Sequence, residues 1–346
     1  MVTIRRCQTS DVPDVLAFLD ANWKPGHIFT VDRSLFDWQY SLRDRPGEYS
    51  IIVARRDADR AMIGMLGYVP TRHFDPALAS HNSIWLALWK VRDDAAAGPV
   101  GLRLLSYVTE NEPHVSIGVV GFQPEVSAIY TALKFEVGQL QQYVLPNPDV
   151  STFELASFAR PPFRPIPDAG LTSAAVDNAN FAEAVAGLEF GTRNVQIPHK
   201  TPDYFRARYL QHPIYRYPSY VLRRNDRPIG LLATRVAAHA GRCALRVVDF
   251  VGPDDAVPGL GALVLAQVRR LGAEYADLHN WGIDPALFEA AGFSRVNPDG
   301  PDIVPNHFEP FERRRAPIRF AVRTALPAVL FKGDGDQDRP NQSPPR

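Results

Sequence analysis

Three kinds of residue in this chain could do chemistry. The first is a pair of glycines, Gly98 and Gly101, placed just before a run that reads as a helix from Leu102 to Val108. A helix N-terminus presents backbone N–H groups and the positive end of its dipole, and glycine lets an anion come close, so Gly98, Val100, Gly101 and Leu102 read as a phosphate cradle. Pro99 lies within it and removes one N–H donor. A second turn, Gly259-Leu260-Gly261, keeps both glycines with no proline between them and reads as the more complete cradle. The second kind is histidine, whose intrinsic pKa suits proton transfer near neutrality; His279, His27 and His307 are the candidates. The third is a set of cations and aromatic faces. Lys24, Lys90 and Arg92 are candidates to reach phosphates. Trp23, Trp38, Trp85, Trp89 and Trp281 offer stacking faces for a nucleotide base, although a tryptophan serves equally in packing.

The elements that must position these residues occur twice. Phe36-x-x-x-Tyr40, Pro46, Ile63-Gly64, an Asp93-Asp94 loop ending at Gly101, and Gly121-Phe122-Gln123-Pro124 leading to Leu133-Lys134-Phe135 form the first series. Phe205-x-x-x-Tyr209, Pro213, Ile229-Gly230, an Asp254-Asp255 loop ending at Gly261, and Gly282-Ile283-Asp284-Pro285 leading to Ala291-Gly292-Phe293 repeat it in the same order. A period of about 160 residues is a duplicated domain rather than a solenoid. Within the first copy, strands are predicted over 50–55, 62–69, 83–91 and 115–120 and helices over 102–108 and 124–133, with extended chain from 136 to 144. The second copy has a hairpin over 219–236, a central strand over 243–251, a helix over 260–271 and a strand over 275–279. The fold class is α+β (α/β-type), with two mixed, partly antiparallel sheets flanked by helices. The expected divisions are a domain over 1–147, a Pro-rich linker over 148–168, a domain over 169–332 and a disordered polar tail over 333–346.

Composition narrows the functional classes. With 38 Lys+Arg and 38 Asp+Glu among 346 residues, the formal charge is zero, which gives no electrostatic case for nucleic acid or an anionic membrane surface. No apolar run approaches the ~18 residues needed to span a bilayer, and the first residues lack an apolar signal core, so the cytoplasm is the expected location. The two cysteines, Cys7 and Cys243, fall in different copies without a metal-type spacing, and no metal site is expected.

The order of elements resembles the GNAT superfamily of acyl-CoA-dependent N-acyltransferases. The residues that carry the resemblance are Ile63-Gly64, the turn Ala96-Ala97-Gly98-Pro99-Val100-Gly101 with its counterpart Ala256-Val257-Pro258-Gly259-Leu260-Gly261, and the closing stretch from Gln123 to Phe135. Neither turn has the leading Arg or Gln of the family pattern, and Lys134 stands where the family places Gly. The duplicated layout, together with Trp23-Lys24-Pro25-Gly26-His27-Ile28 and Ile84-Trp85-Leu86-Ala87-Leu88-Trp89-Lys90-Val91, is similar to tandem GNAT enzymes that acylate nucleotide-linked deoxyamino sugars.

The resemblance implies acetyl-CoA or another short acyl-CoA as co-substrate, held at Trp89, Lys90, Val91, Arg92, Gly98, Val100, Gly101, Leu102 and Gln123. It implies a dTDP- or UDP-linked amino sugar as acceptor, met by Trp23, Lys24, Trp38, Trp85, Asn280, Trp281 and His307, in a monomer or homodimer. It also implies that Tyr130, five residues before Phe135, protonates the departing thiolate. The second copy has Phe288 at that place, and phenylalanine has no proton to donate. The chemistry is therefore expected in the first copy. The base is left open between His279, His27, His307 and water, since the strand from Ile84 to Val91 holds no carboxylate. Another small amine or an antibiotic as acceptor, or a protein that binds such ligands without turning them over, are the alternatives.

Overall fold

The apolar runs become the inner strands of two seven-position mixed sheets in the computed structural model, which describes residues 1–95, 98–188 and 196–341. The first sheet is ordered β1 (Val2–Gln8), β2 (Glu48–Arg56), β3 (Met62–Pro70), β4 (Ser83–Val91), β5 (Ser116–Val120), β16 (Arg319–Thr324), β6 (Glu136–Gln139). The second is ordered β8 (Thr172–Val176), β9 (Ser219–Arg224), β10 (Arg227–His239), β11 (Arg242–Val251), β12 (Tyr275–Trp281), β7 (Gln141–Pro146), β13 (Ser294–Arg295), with β17 (Leu330–Phe331) added against β12. A hairpin of β14 (His307–Phe308) and β15 (Phe311–Glu312) stands apart.

Alternation along the strands sorts the core into layers. Ile51 and Val53 of β2 face α1 (Val12–Asn22), α2 (Ile28–Val31) and α3 (Arg33–Tyr40), in one cluster with Trp85 and Phe320. Ile52 and Ala54 face the other way, toward Leu104, Leu105 and Val108 of α4 (Val100–Asn111) and Tyr130 of α5 (Ser127–Ala132). In the second sheet Leu222, Leu232 and Leu245 pack on α8 (Leu260–Leu271) and α9 (Pro285–Ala290). The opposite face, with Val221 and Leu231, packs on α6 (Phe181–Ala184) and α7 (Pro202–Phe205).

Each sheet takes its sixth strand from the other half of the chain. β7 directly follows β6 in sequence, yet β6 pairs with β16 in the first sheet while β7 pairs with β12 in the second. β16 returns from far downstream to lie between β5 and β6. The single extended run expected over 136–144 is thus two strands in different sheets, parted at Leu140, and a boundary at 147 does not separate two self-contained domains. Hydrophobic runs report that a strand is buried, not which sheet buries it.

Two further expectations are corrected. The segment read as a linker is docked: the Glu274 carboxylate accepts the N–H groups of Glu154 and Leu155, both at 2.9 Å, and Leu155 and Ala156 are buried. The segment read as a disordered tail is part of the interior through residue 340, with Asp334 and Asp338 buried. Its acidic residues look solvated in a composition count, but Lys200 and Arg235 pair with them inside the protein. Residues 342–346 lie outside the described residues, as do Ala96 and Ala97. Among the described residues no helix is long and apolar enough to cross a membrane, and no group of three or more His, Cys, Asp or Glu is placed to hold a metal.

Candidate active site

β4 and β5 run parallel but pair at three positions only, Ser83–Ser116, Ile84–Ile117 and Trp85–Gly118. Past Trp85 a bulge in β4, opposite Leu66–Tyr68 of β3, breaks its register, and pairing with β5 stops although both strands continue. The result is a V-shaped opening. β11 and β12 repeat the plan, with three parallel pairs from Leu245–Ala276 to Val247–Leu278 and a bulge opposite Ala233–Thr234.

The two openings then differ. In the second half β17 enters: Leu330 and Phe331 pair with Trp281 and Asn280, and Gly333 N–H donates to the Val248 carbonyl at 2.9 Å. Asn280, expected to touch substrate, instead holds this insert, donating its amide N–H to the Leu330 carbonyl at 3.0 Å and accepting Ile283 N–H at 3.2 Å. In the first half, among the described residues, no strand enters between β4 and β5.

The glycine turns differ in the same sense. Gly98 is exposed, and a Cβ there would meet only the Ala95 carbonyl at 3.6 Å; one at Gly101 would meet the Trp89 indole at 3.5 Å, an ordinary contact. α4 opens without a side-chain cap, so the N–H groups of its first turn point outward. In the second half a Cβ at Gly259 would lie 2.4 Å from Leu171, and one at Gly261 would lie 1.7 Å from the Ala291 carbonyl. Those glycines make room for the protein's own chain. The reading of the second turn as the more complete phosphate cradle is therefore corrected: both its glycines are buried under neighbouring elements. Sequence shows a glycine but not what presses on it.

Lys90 pairs with Asp93 at 3.0 Å and Arg92 with Asp94 at 2.8 Å beside the first turn. Such part-exposed pairs are weak and readily redirected toward a ligand phosphate. Val91 pairs with Gly64, and Gln123 is exposed at the end of the loop after β5.

Tyr130 stands on α5, 3% exposed, with ring centroids 5.0 Å from Phe122, 5.3 Å from Phe135 and 6.2 Å from Trp89. Burial alone pushes its hydroxyl above the usual phenol range; no charge or hydrogen bond of a described residue acts on it. Phe288, its counterpart, is fully buried against Tyr143, centroids 4.6 Å apart. Lys134 holds a φ of 63° where the second half has Gly292 at 89°, so this turn requires the left-handed region and lysine adopts it at some cost.

The structure does not gather the remaining candidates around Tyr130. His27 caps α2, its Nδ1 accepting Phe29 N–H at 3.2 Å, with Nε2 2.9 Å from Arg339 Nη1. Burial, Arg339 and Lys24 pull its pKa down to about 3. His279 is fully enclosed on β12, and burial takes it to about 3 as well, which leaves both rings poor bases. His307 lies on β14, by a cleft in the second half. Trp38 sits edge-on to His212, centroids 4.5 Å apart, and Trp281 packs on Phe320 at 5.0 Å. Trp85 is buried at the point of the first opening, while Trp23 and Lys24 are exposed after α1.

Sequence reasoning missed a buried ionic layer in the second half. Asp249 on β11 occupies the position matching Leu88 of β4, and pairs with Lys200 at 2.7 Å and the Tyr209 hydroxyl at 2.7 Å. Arg246 bonds Asp277 through two nitrogens, both at 3.0 Å, and Arg235 bonds Asp338 at 3.0 and 2.9 Å. The signal was present: arginine and aspartate inside otherwise apolar central strands are charges that must be paired.

Comparison with solved structures places the architecture. A GCN5-related N-acetyltransferase from Anabaena variabilis aligns over 93% of this chain and 72% of its own, at 12% identity and a TM-score of 0.56. One from Kribbella flavida aligns over 94% and 71%, at 11% identity and a TM-score of 0.51. A conserved Enterococcus faecalis protein of unknown function aligns over 94% and 73%, at 9% identity and 0.53. No protein-family model matches the sequence, and no curated protein does. The chain has the fold of GCN5-related N-acetyltransferases.

Proposed function

We propose that the protein transfers an acyl group from acyl-CoA to the amine of a small acceptor, with the acyl-CoA against the first half. The observation that supports this most is the contrast between the openings: the second is filled by Leu330 to Gly333, the first is left between β4 and β5 with Tyr130 beside it. The open turn at Gly98–Gly101 is the matching place for the pyrophosphate. Acetyl-CoA or another short acyl-CoA is the donor in this reading. A nucleotide-linked deoxyamino sugar is the acceptor, on the strength of the sequence resemblance.

The step follows from these residues. The neutral amine attacks the thioester carbonyl, the C–N bond forms and the C–S bond breaks. The Tyr130 phenol gives its proton to the departing sulfur. Its raised pKa keeps the phenol protonated at neutral pH, so a proton is in place as the C–S bond breaks; the phenolate left behind, which burial disfavours, regains through water the proton that the amine releases. β4 holds no carboxylate, and in this reading the amine passes its proton to water.

The test is free-thiol release from acetyl-CoA and longer acyl-CoAs with a panel of amines, nucleotide-linked amino sugars among them. Release that requires the amine is expected. Absence of release with every donor and amine, in protein that binds CoA, would sink the catalytic reading.

A further inference from the structure

A second cleft opens in the other half, about 320 Å³ counting its mouth, between the β14–β15 hairpin and the segment 332–341. Tyr215, Arg235, His307, Glu309, Lys332 and Arg339 are among its lining residues. The charges here can be counted pair by pair. Arg235 is bound by Asp338 and lies over the Tyr215 ring at 4.2 Å. Arg246, behind the cleft, is bound by Asp277, and Arg339 by Asp336 at 3.0 Å. Glu309 accepts from the Tyr215 hydroxyl at 2.6 Å and from Asn341 N–H at 3.1 Å, and leans toward Arg235 at 3.9 Å.

Lys332 is the exception. It is 3% exposed, and its Nζ donates only to the carbonyl and side-chain oxygens of Asn306. No described carboxylate pairs with it. A buried ammonium without a counter-charge costs several kcal/mol. The folding core gains nothing from such a group, yet the cleft beside it is open.

We propose that this cleft binds a compact oxyanion, a carboxylate or a phosphate, with Lys332 as its buried cation and Arg339 and His307 at its rim. Glu309, the fourth carboxylate, leans toward Arg235 and not Lys332, so the oxyanion supplies a counter-charge that no carboxylate gives Lys332. Three residues beyond Lys332, Gly335 rests against Trp85 and Val120 at the inner edge of the first opening; a Cβ there would lie 3.7 and 3.8 Å from theirs. Three residues of chain span at most about 11 Å. An acceptor whose amine reaches the opening can therefore place an anionic group about that far away in the cleft. This last placement rests on the acyltransferase reading; the oxyanion site does not.

The groups facing Lys332 also say how binding should look. Arg246 and Arg235 oppose its charge, Asp277 and Asp338 favour it, and burial dominates, so its pKa lies well below the ordinary lysine value. His279 and His307 are held neutral beside it by burial. An oxyanion restores the charged amine, so binding takes up a proton.

The experiment is calorimetric titration of the full chain, without acyl-CoA, with inorganic phosphate in one arm and acetate in the other, each in two buffers of different ionisation heat. One site per chain is expected, with proton uptake, and the tighter arm names the group. Lys332→Met should weaken binding by about thirtyfold or more, the loss of a buried charge partner, and should abolish the proton uptake. Arg339→Gln should weaken binding several-fold. Binding of neither anion by the wild type, or binding by both variants equal to wild type, would overturn the proposal. Failure of thiol release alone would leave it standing.

Discussion

Gly333 N–H reaches the Val248 carbonyl at 2.9 Å, at the bulge of β11. The matching bulge of β4 lies at Ala87 and Leu88, opposite Gly67, and among the described residues no strand bonds it from the V side. One opening is thus bridged by a hydrogen-bonded strand, while the other has only the turn at Gly335 packed at its inner edge. Equilibrium binding of CoA should saturate at one molecule per chain. A stoichiometry of two would show that the insert of residues 330–333 yields to ligand.

Tyr130→Phe removes a hydroxyl with no partner among the described residues, so its effects on rate and stability should separate. Turnover should fall by ~10²-fold or more, the range for a lost general acid. The melting temperature should stay within about 1 °C, since a surface-like change in hydrogen bonding is small when no bond is lost. A lower Tm with unchanged turnover would make Tyr130 a packing residue.

The strand exchange predicts that neither half folds by itself. A fragment of residues 1–147 lacks β16, and so leaves β5 and β6 without the strand that joins them. It should show disordered circular dichroism or aggregate through those edges, and co-expression with 148–346 should restore a soluble complex. A cooperative melt of 1–147 alone would refute this.

Acid should unfold the protein early. Burial lowers His27, His279 and His212 to about 3 and His73 to about 4. Their unfolded values lie near 6.5, so between about 6.5 and 4 the unfolded chain binds more protons, and stability falls as pH falls. Each histidine contributes up to about 1.4 kcal/mol per pH unit in that window. Asp338 and Asp11, held near 2 by their arginine partners against burial, add a loss of the same sign below about 4. Urea midpoints at pH 7.5, 6 and 5 check this; a midpoint that does not fall toward pH 5 would contradict it.

Much of the fold was legible in the sequence. The strand over Ser83–Val91, the hairpin that turns after Arg224 and the helix over Leu260–Leu271 stand where the apolar runs and turn residues put them. Tyr130 and the loss of its hydroxyl in Phe288 were equally legible, because a substitution between two copies is visible without coordinates. The strand β16 was not, since Arg319–Thr324 is short and its partners lie roughly 200 residues upstream. Nor was the fate of the second glycine turn, which is decided by Leu171 and Ala291 pressing on Gly259 and Gly261. The acidic segment from Asp334 to Asp338 resembled a solvated tail because composition does not reveal Lys200 and Arg235 waiting inside.

The exchange of sixth strands also sets a timetable. β5 is complete at Val120, but the strand that must lie beside it begins at Arg319, roughly 200 residues later. At about 5–20 residues per second, a ribosome makes that stretch in roughly 10–40 s. Through that interval the first half presents open strand edges, and β7 waits for β12, complete only at Trp281, to join the second sheet. The pairing of β16 is therefore a late, long-range closure that locks both halves together, and a nascent chain stalled before Arg319 is a substrate for chaperones.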